Sequence, residues 1–185
     1  MKEVIFIHGY EGYPEKDWFP NIAKALKGVQ TNWSILAFPG GKDPYAKDWL
    51  ELLDKEIKAA ASPIVLVAYS LGTRAALLYL EQHQPKNIDT VILIAPFNND
   101  WQKHIMKGYK GYNTFFEHAI DIAKVKNLAN TFIVMHSKDD PHVKYAWGKQ
   151  IAKDLNAKMY TFEHRDHFYQ PENYKYVLDV LKTVL

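Results

Sequence analysis

Ile64-Val65-Leu66-Val67-Ala68-Tyr69-Ser70-Leu71-Gly72-Thr73-Arg74-Ala75-Ala76-Leu77-Leu78-Tyr79-Leu80-Glu81-Gln82 is the stretch on which the reading of this chain turns. Its first five residues form an unbroken apolar run rich in β-branched side chains, the mark of a strand buried on both faces. Leu71 to Gln82 is apolar nearly all round and stops before Pro85, which reads as a buried helix. Between them lies Ala68-Tyr69-Ser70-Leu71-Gly72, with no residues to spare for a loop. A sharp strand-to-helix turn of this kind lifts a serine hydroxyl above the edge of a sheet. The serine backbone is then strained, and the positions two before and two after it must be small to pack against neighbouring backbone. The helix that follows aims its N-terminus at the hydroxyl, which favours developing negative charge. A small-x-Ser-x-Gly pattern arises by chance in about one chain in ten of this length, so the flanking strand and helix carry the weight.

Similar apolar runs recur on both sides: Val4–Ile7, Ile35–Phe38, Val91–Ala95, Phe132–Met135 and, more weakly, Met159–Phe162. Helical spacing appears between them, in Trp18 to Lys27, Val143 to Leu155 and Glu172 to Leu185. Pro44 to Ala60 adds another helix, with Asp43 at the N-cap, Pro44 at the first helical position, and Trp49, Leu50, Leu53 and Ile57 on one face. Strand–helix alternation over the whole chain predicts an α/β fold with a mostly parallel six-stranded sheet, helices on both faces and right-handed crossovers. No repeat or linker divides residues 1–185, so a single domain is expected. Asn98 to Asn113 breaks the rhythm with Trp101, Tyr109, Tyr112, two glycines and several lysines. An irregular loop of that length reads either as a lid over a site or as a plain surface excursion.

Composition narrows the function classes. The 185 residues carry 23 Lys and Arg against 21 Asp and Glu, a net charge of +2 that steers towards neither nucleic acid nor an anionic membrane. The absence of cysteine excludes disulfides and thiolate metal sites. Met1-Lys2-Glu3 is followed by only four apolar residues before His8-Gly9, and no apolar run approaches the roughly 20 residues of a membrane span. A soluble, cytoplasmic protein is the expectation.

An activated serine needs a base and an orienting acid, and in a sheet of this kind they sit on loops after later strands. After Phe132–Met135 comes His136-Ser137-Lys138-Asp139-Asp140-Pro141-His142-Val143; after the last strand comes Glu163-His164-Arg165-Asp166-His167-Phe168. Both loops offer the required side chains. A negatively charged intermediate needs two N–H donors. One is expected from the backbone of Leu71, the other from that of Tyr10 in His8-Gly9-Tyr10-Glu11-Gly12 after the first strand, where Gly9 lets the backbone come close. Tyr13, Tyr69 and Phe97, with Gly9, are candidates to line the pocket. His83, His104 and His118 have no motif context and read as surface residues.

His8-Gly9-Tyr10, Ala68-Tyr69-Ser70-Leu71-Gly72, Ser137-Lys138-Asp139-Asp140-Pro141-His142-Val143 and Asp166-His167-Phe168 together resemble the small serine hydrolases of the α/β-hydrolase superfamily. The retinoblastoma-binding protein 9 and YdeN-like family is the nearest in pattern, and the resemblance spans essentially the whole chain. It implies a strand order of 2-1-3-4-5-6 without a large cap domain, and a catalytic triad of Ser70, Asp140 and His167. It also implies hydrolysis of a small carboxylic ester or related acyl substrate without a cofactor. Two positions depart from the family pattern, Ala68 and Asp166 standing where glycine is usual. They motivate a rival reading, a binding protein that retains the hydrolase scaffold without catalysis. A metal site built from His164, His167, Asp139, Asp140 and His142 lacks any His-Glu-x-x-His motif, and no metal is expected.

Overall fold

The computed structural model describes residues 2–185. Along them run β1 (Glu3–Ile7), α1 (Phe19–Leu26), β2 (Asn32–Ile35), α2 (Ala46–Ala59), β3 (Ile64–Tyr69), α3 (Leu71–His83) and β4 (Ile88–Ile94). The short helices α4 (Lys110–Asn113) and α5 (Ile122–Val125) follow, then β5 (Thr131–Ser137), α6 (Tyr145–Asp154), β6 (Lys158–Phe162) and α7 (Tyr174–Lys182). The six strands form one sheet in the order β2-β1-β3-β4-β5-β6, and every pairing is parallel. The expected order and single α/β domain are therefore observed.

Strand alternation divides the core in two. Ile5, Ile7, Leu66, Ala68, Val91, Leu93 and Val134 point to the face covered by α2, α3, α5 and α6. Their neighbours Val4, Phe6, Val65, Val67, Ile92, Ile94, Ile133 and Met135 point to the face covered by α1 and α7. Burial on both faces is why these strands read as continuous apolar runs. α1 and α7 bury one stripe each, Phe19, Ile22 and Leu26 in the first, Val177, Val180 and Leu181 in the second. α3 is buried along Leu71–Leu80, so it lies between the sheet and further layers of chain. No helix among the described residues is long and apolar enough to cross a membrane.

The elements depart from the sequence expectation where polar partners intervene. The run Ile35–Phe38 predicts the second strand, but β2 is Asn32–Ile35, and Leu36 and Phe38 lie beyond its end in the core. β2 is an edge strand with half-exposed residues, so the buried apolar run marks the segment after it. Asp43 does not cap α2: Tyr45 stands at that N-cap, and the Asp43 carboxylate accepts the N–H of Tyr112 at 2.9 Å. Thr114 Oγ1 takes over the cap by accepting the N–H of Ala46 at 2.8 Å. α6 starts at Tyr145 instead of Val143, because the backbone of Val143 is engaged by His136 and Asp140.

Asn98–Asn113 contains ordered turns of its own. It holds a 3-10 turn, Trp101–His104, and α4. The Asn113 amide closes it by accepting the N–H of Met106 at 2.7 Å and donating to its carbonyl at 2.8 Å. The buried Arg74 of α3 donates to Phe115 O at 2.7 Å, Asn99 Oδ1 at 3.1 Å and His118 O, fastening the start of the segment and the chain just beyond it to the helix after Ser70.

Close packing of that helix on β1 makes one residue decisive. A Cβ at position 72 would lie 2.5 Å from His8 O and 2.6 Å from Ile7 O, both rigid backbone atoms. Gly72→Ala is expected to destabilise the fold by about 2–4 kcal/mol, a Tm drop on the order of 5–15 °C in thermal denaturation. Gly28→Ala, where the nearest such neighbour is Ala25 O at 4.0 Å, is expected to stay within about 1 kcal/mol of wild type. Equal behaviour of the two variants would refute the close approach of α3 to β1.

Candidate active site

The strand order reverses between β1 and β3, since the chain moves outward to β2 and then returns past β1. Crevices open at the C-terminal ends of strands where the order reverses. Ser70 stands there, one residue after β3, at φ 52° and ψ −121°. A non-glycine residue in that region is strained. The strain is held by Ser70 N–H donating to Ile94 O at 2.9 Å and by Thr73 Oγ1 donating to Ser70 O at 2.7 Å. Gly9 passes directly over it, for a Cβ there would come 2.9 Å from Ser70 Cβ.

Residues far apart in sequence meet at this serine. Ser70 Oγ donates to His167 Nε2 at 2.8 Å, and His167 Nδ1 donates to Asp140 Oδ2 at 2.7 Å. Asp140 Oδ1 accepts the N–H groups of His142 and Val143, each at 2.9 Å. Burial alone would raise the Asp140 carboxyl, but hydrogen bonding from His136, His167 and Val143 holds it well below the usual carboxylate range. An ionised aspartate behind an imidazole that faces a serine hydroxyl can fix the tautomer and stabilise the imidazolium. Leu71 is buried in the core, and its N–H belongs to the first turn of α3, which lacks intrahelical acceptors.

The surrounding loops are held by side chains that sequence reasoning placed only in part. The His8 imidazole donates through Nδ1 to Gly9 O at 2.8 Å and accepts the N–H of Phe38 at 3.1 Å through Nε2, tying the end of β1 to the chain after β2. Tyr69 is 4% exposed and its hydroxyl donates to His167 O at 2.8 Å, so it positions the histidine loop from the strand side. Asp139 accepts the Ser137 hydroxyl and the N–H of His164, the latter at 3.0 Å, and so ties the loop after β5 to the loop after β6. Ala68 packs without exposure in the core. Asp166 takes φ 47°, which explains the advantage of glycine there, and aspartate is among the few other residues that enter this region readily. Among the described residues, no three His, Asp or Glu side chains converge as a metal cradle.

A cleft of about 770 Å3 opens over Ser70 and His167. Gly9, Tyr10, Tyr69 and Phe97 line it, whereas Tyr13 is 52% exposed and lies outside the lining. The β1–α1 loop points outward at Tyr13, and Lys16 and Asp17 reach the cleft instead. The opposite wall is aromatic and apolar, made by Phe97, Met106, Tyr112, Val143, Trp147 and His104. His104 is not a surface residue as its sequence context suggests. It is 7% exposed, its ring packed edge-on to Phe97 and Trp147 at 4.8 and 4.6 Å between centroids, and its Nε2 has no hydrogen-bond partner. Burial, reinforced by the charge of Arg74, lowers its pKa to about 4. No periodicity in residues 98–113 could have shown this, because the segment is shaped by tertiary contacts.

A profile of the family described as serine hydrolase matches residues 4–182. YdeN of Bacillus subtilis is 30% identical over 186 residues, covering 98% of this chain and 95% of that protein. The crystal structure of the ydeN gene product superposes with a TM-score of 0.87 at 29% identity, over 100% of this chain and 98% of that one. Serine hydrolase RBBP9 of Rattus norvegicus is 28% identical over 137 residues, covering 74% of this chain and 69% of that protein. Est1E of Butyrivibrio proteoclasticus shares the fold, with a TM-score of 0.75 at 17% identity over 100% of this chain and 89% of that one. The chain belongs to the serine hydrolase family.

Proposed function

We propose that this hydrolase cleaves small carboxylic esters or related acyl bonds through an acyl-enzyme on Ser70, with His167 as base and acid and Asp140 as its orienting carboxylate. The observation that carries the proposal is the continuous hydrogen-bonded chain of Ser70, His167 and Asp140, with links of 2.8 and 2.7 Å, at the floor of a cleft. Distances in that range let a proton pass from hydroxyl to imidazole as the oxygen attacks.

In this mechanism the Ser70 oxygen adds to the acyl carbon while its proton moves to His167 Nε2. The carbonyl oxygen becomes an oxyanion, held by the N–H groups of Leu71 and Tyr10 together with the N-terminal end of α3. Collapse expels the alkoxide, which takes the proton from Nε2. Water then repeats the sequence on the acyl-enzyme, releasing the acid and restoring Ser70. The aromatic wall suits an apolar acyl group, and the side bearing Lys16, Asp17 and His142 suits a polar leaving group. The non-catalytic alternative draws on Ala68 and Asp166, and neither position keeps the serine and histidine from meeting.

A fluorophosphonate probe tests the nucleophile. One adduct by intact mass, mapped to Ser70 and absent from Ser70→Ala, is expected, together with a loss in kcat for short-chain aryl esters on the order of 10³-fold or more in the variant. Properly folded wild type that neither labels nor turns over would leave the binding-protein reading standing.

The aromatic wall has its own pH signature. His104 is held at about 4 in the folded chain against an ordinary 6.5. The unfolded chain therefore binds the extra proton first as pH falls, so this contribution to stability is complete above pH 6.5 and lost on the way down to about 4. Urea midpoints at pH 7 and pH 4.5 are expected to show wild type losing about 1–3 kcal/mol more than His104→Phe. Parallel losses in the two proteins would place the acid sensitivity elsewhere.

A further inference from the structure

One buried histidine next to this site has no part in the mechanism above. His136 lies at the end of β5, 0% exposed and four residues before Asp140. Its Nε2 is 2.9 Å from Val143 O and 3.3 Å from Asp140 Oδ2. Both are acceptors, so the proton must be on Nε2, where it donates to the Val143 carbonyl with the carboxylate oxygen alongside at 3.3 Å. Nδ1 is buried without any partner, against the backbone of α6, where a Cβ at Gly148 would stand 2.0 Å from it. A polar ring packed this tightly with one nitrogen unsatisfied costs stability. The side that is satisfied faces Asp140.

We propose that His136 is a second histidine on the Asp140 carboxylate, a positioning residue that fixes Oδ2 towards His167 and shares its negative charge. The proposal rests on the reading of Asp140 as the partner of the base. The carboxylate is then surrounded on all sides: two backbone N–H groups on Oδ1, and His167 and His136 on Oδ2. A carboxylate has about four lone-pair directions, so it has no freedom left to rotate away from His167. The same Nε2–H also holds the carbonyl of Val143, whose N–H holds Oδ1, so one imidazole braces both the acid and its turn. Tyr145 of α6 is the titratable group facing His136, with ring centroids 5.8 Å apart. Tyr69, His142, Asp17 and Tyr169 surround the His167 end.

Removing this donor has two consequences that a purely structural residue would not combine. Asp140 loses its brace, which lowers the rate. It also keeps more negative charge for His167, which favours the imidazolium and moves the acid limb of the kcat/KM profile to higher pH. The experiment is the pH profile of kcat/KM for a short-chain aryl ester in wild type, His136→Leu and His136→Gln. His136→Leu is expected to lose about 5- to 50-fold at the plateau and to move the acid limb up by about 0.3–1 pH unit. His136→Gln returns an N–H to the same place and is expected to recover most of both.

A folded His136→Leu whose acid limb stays in place overturns the proposal, and so does a His136→Gln no better than leucine. Should the leucine variant not fold, 1H–15N correlation of the histidine rings in wild type decides. A proton on His136 Nε2 whose resonance moves in Asp140→Asn supports the inference, and a proton on Nδ1 overturns it. The ring spectra stand apart from turnover: failure of the fluorophosphonate to label wild type would sink the acyl-enzyme reading and leave the contact between His136 and Asp140 to be judged by resonance alone.

Discussion

The turn at Ser70 can persist only because both elements it joins are immobile. β3 is buried at each of its six residues and pairs with β1 and β4, and α3 is buried along Leu71–Leu80. Strain of about 1–3 kcal/mol at a single residue is tolerated when the surroundings over-determine it. Here they do so from three sides: the N–H bond to Ile94, the hydroxyl of Thr73, and the contact of Gly9 with the serine Cβ. Releasing the strain would require α3 to leave β1, and that would open the face that buries Ile7, Ala68 and Leu71. The exposed hydroxyl is thus a consequence of the core.

Charge is handled by the same logic of enclosure. Arg74 sits in a nearly dry interior, where burial lowers its pKa to about 10, and its donors end on two carbonyls, the Asn99 amide oxygen and the face of Phe116. Hydrogen bonds to carbonyl dipoles replace some of the hydration it gives up. Because those carbonyls belong to residues 115–118, the cation that stabilises the wall of the cleft hangs from the helix that carries Ser70. His104, pressed into the same wall, avoids the cost of charge by staying neutral.

The sheet and its nucleophile are legible in the sequence because each rests on local signals. Residues buried on both faces read as apolar runs, and Ala68-Tyr69-Ser70-Leu71-Gly72 joins such a run to a helix without a loop. Asp140 and His167 are legible only up to the loop; the choice of Asp140 over Asp139 comes from resemblance, and in the structure Asp140 meets the ring of His167 while Asp139 accepts the N–H of His164 from the loop after β6. What was not legible is what long-range contacts decide. Edge strand β2 hides because its residues are half exposed. Asp43 reads as the cap of the nearest helix but bonds to Tyr112, which lies 69 residues away. His104 and Trp147 come from separate segments and meet only in the folded chain, with 4.6 Å between their ring centroids.

The distribution of backbone strain separates the working end of the molecule from the end that only holds it together. Nine non-glycine residues among those described have positive φ. Gln84 caps α3 and Asn156 follows α6, the ordinary left-handed stop of a helix. The other seven, Glu11, Asp17, Ser70, Ala95, His164, Asp166 and Phe168, all lie after the C-terminal ends of strands β1, β3, β4 and β6. Three of them alternate around His167, so the base is presented by a chain that reverses its twist at every second residue. A loop free to relax would not keep that conformation; the buried Phe168 on one side and the Tyr69 hydroxyl on the other leave it no alternative. Asp166 takes its φ of 47° within that same enclosed loop, where glycine would carry no Cβ penalty.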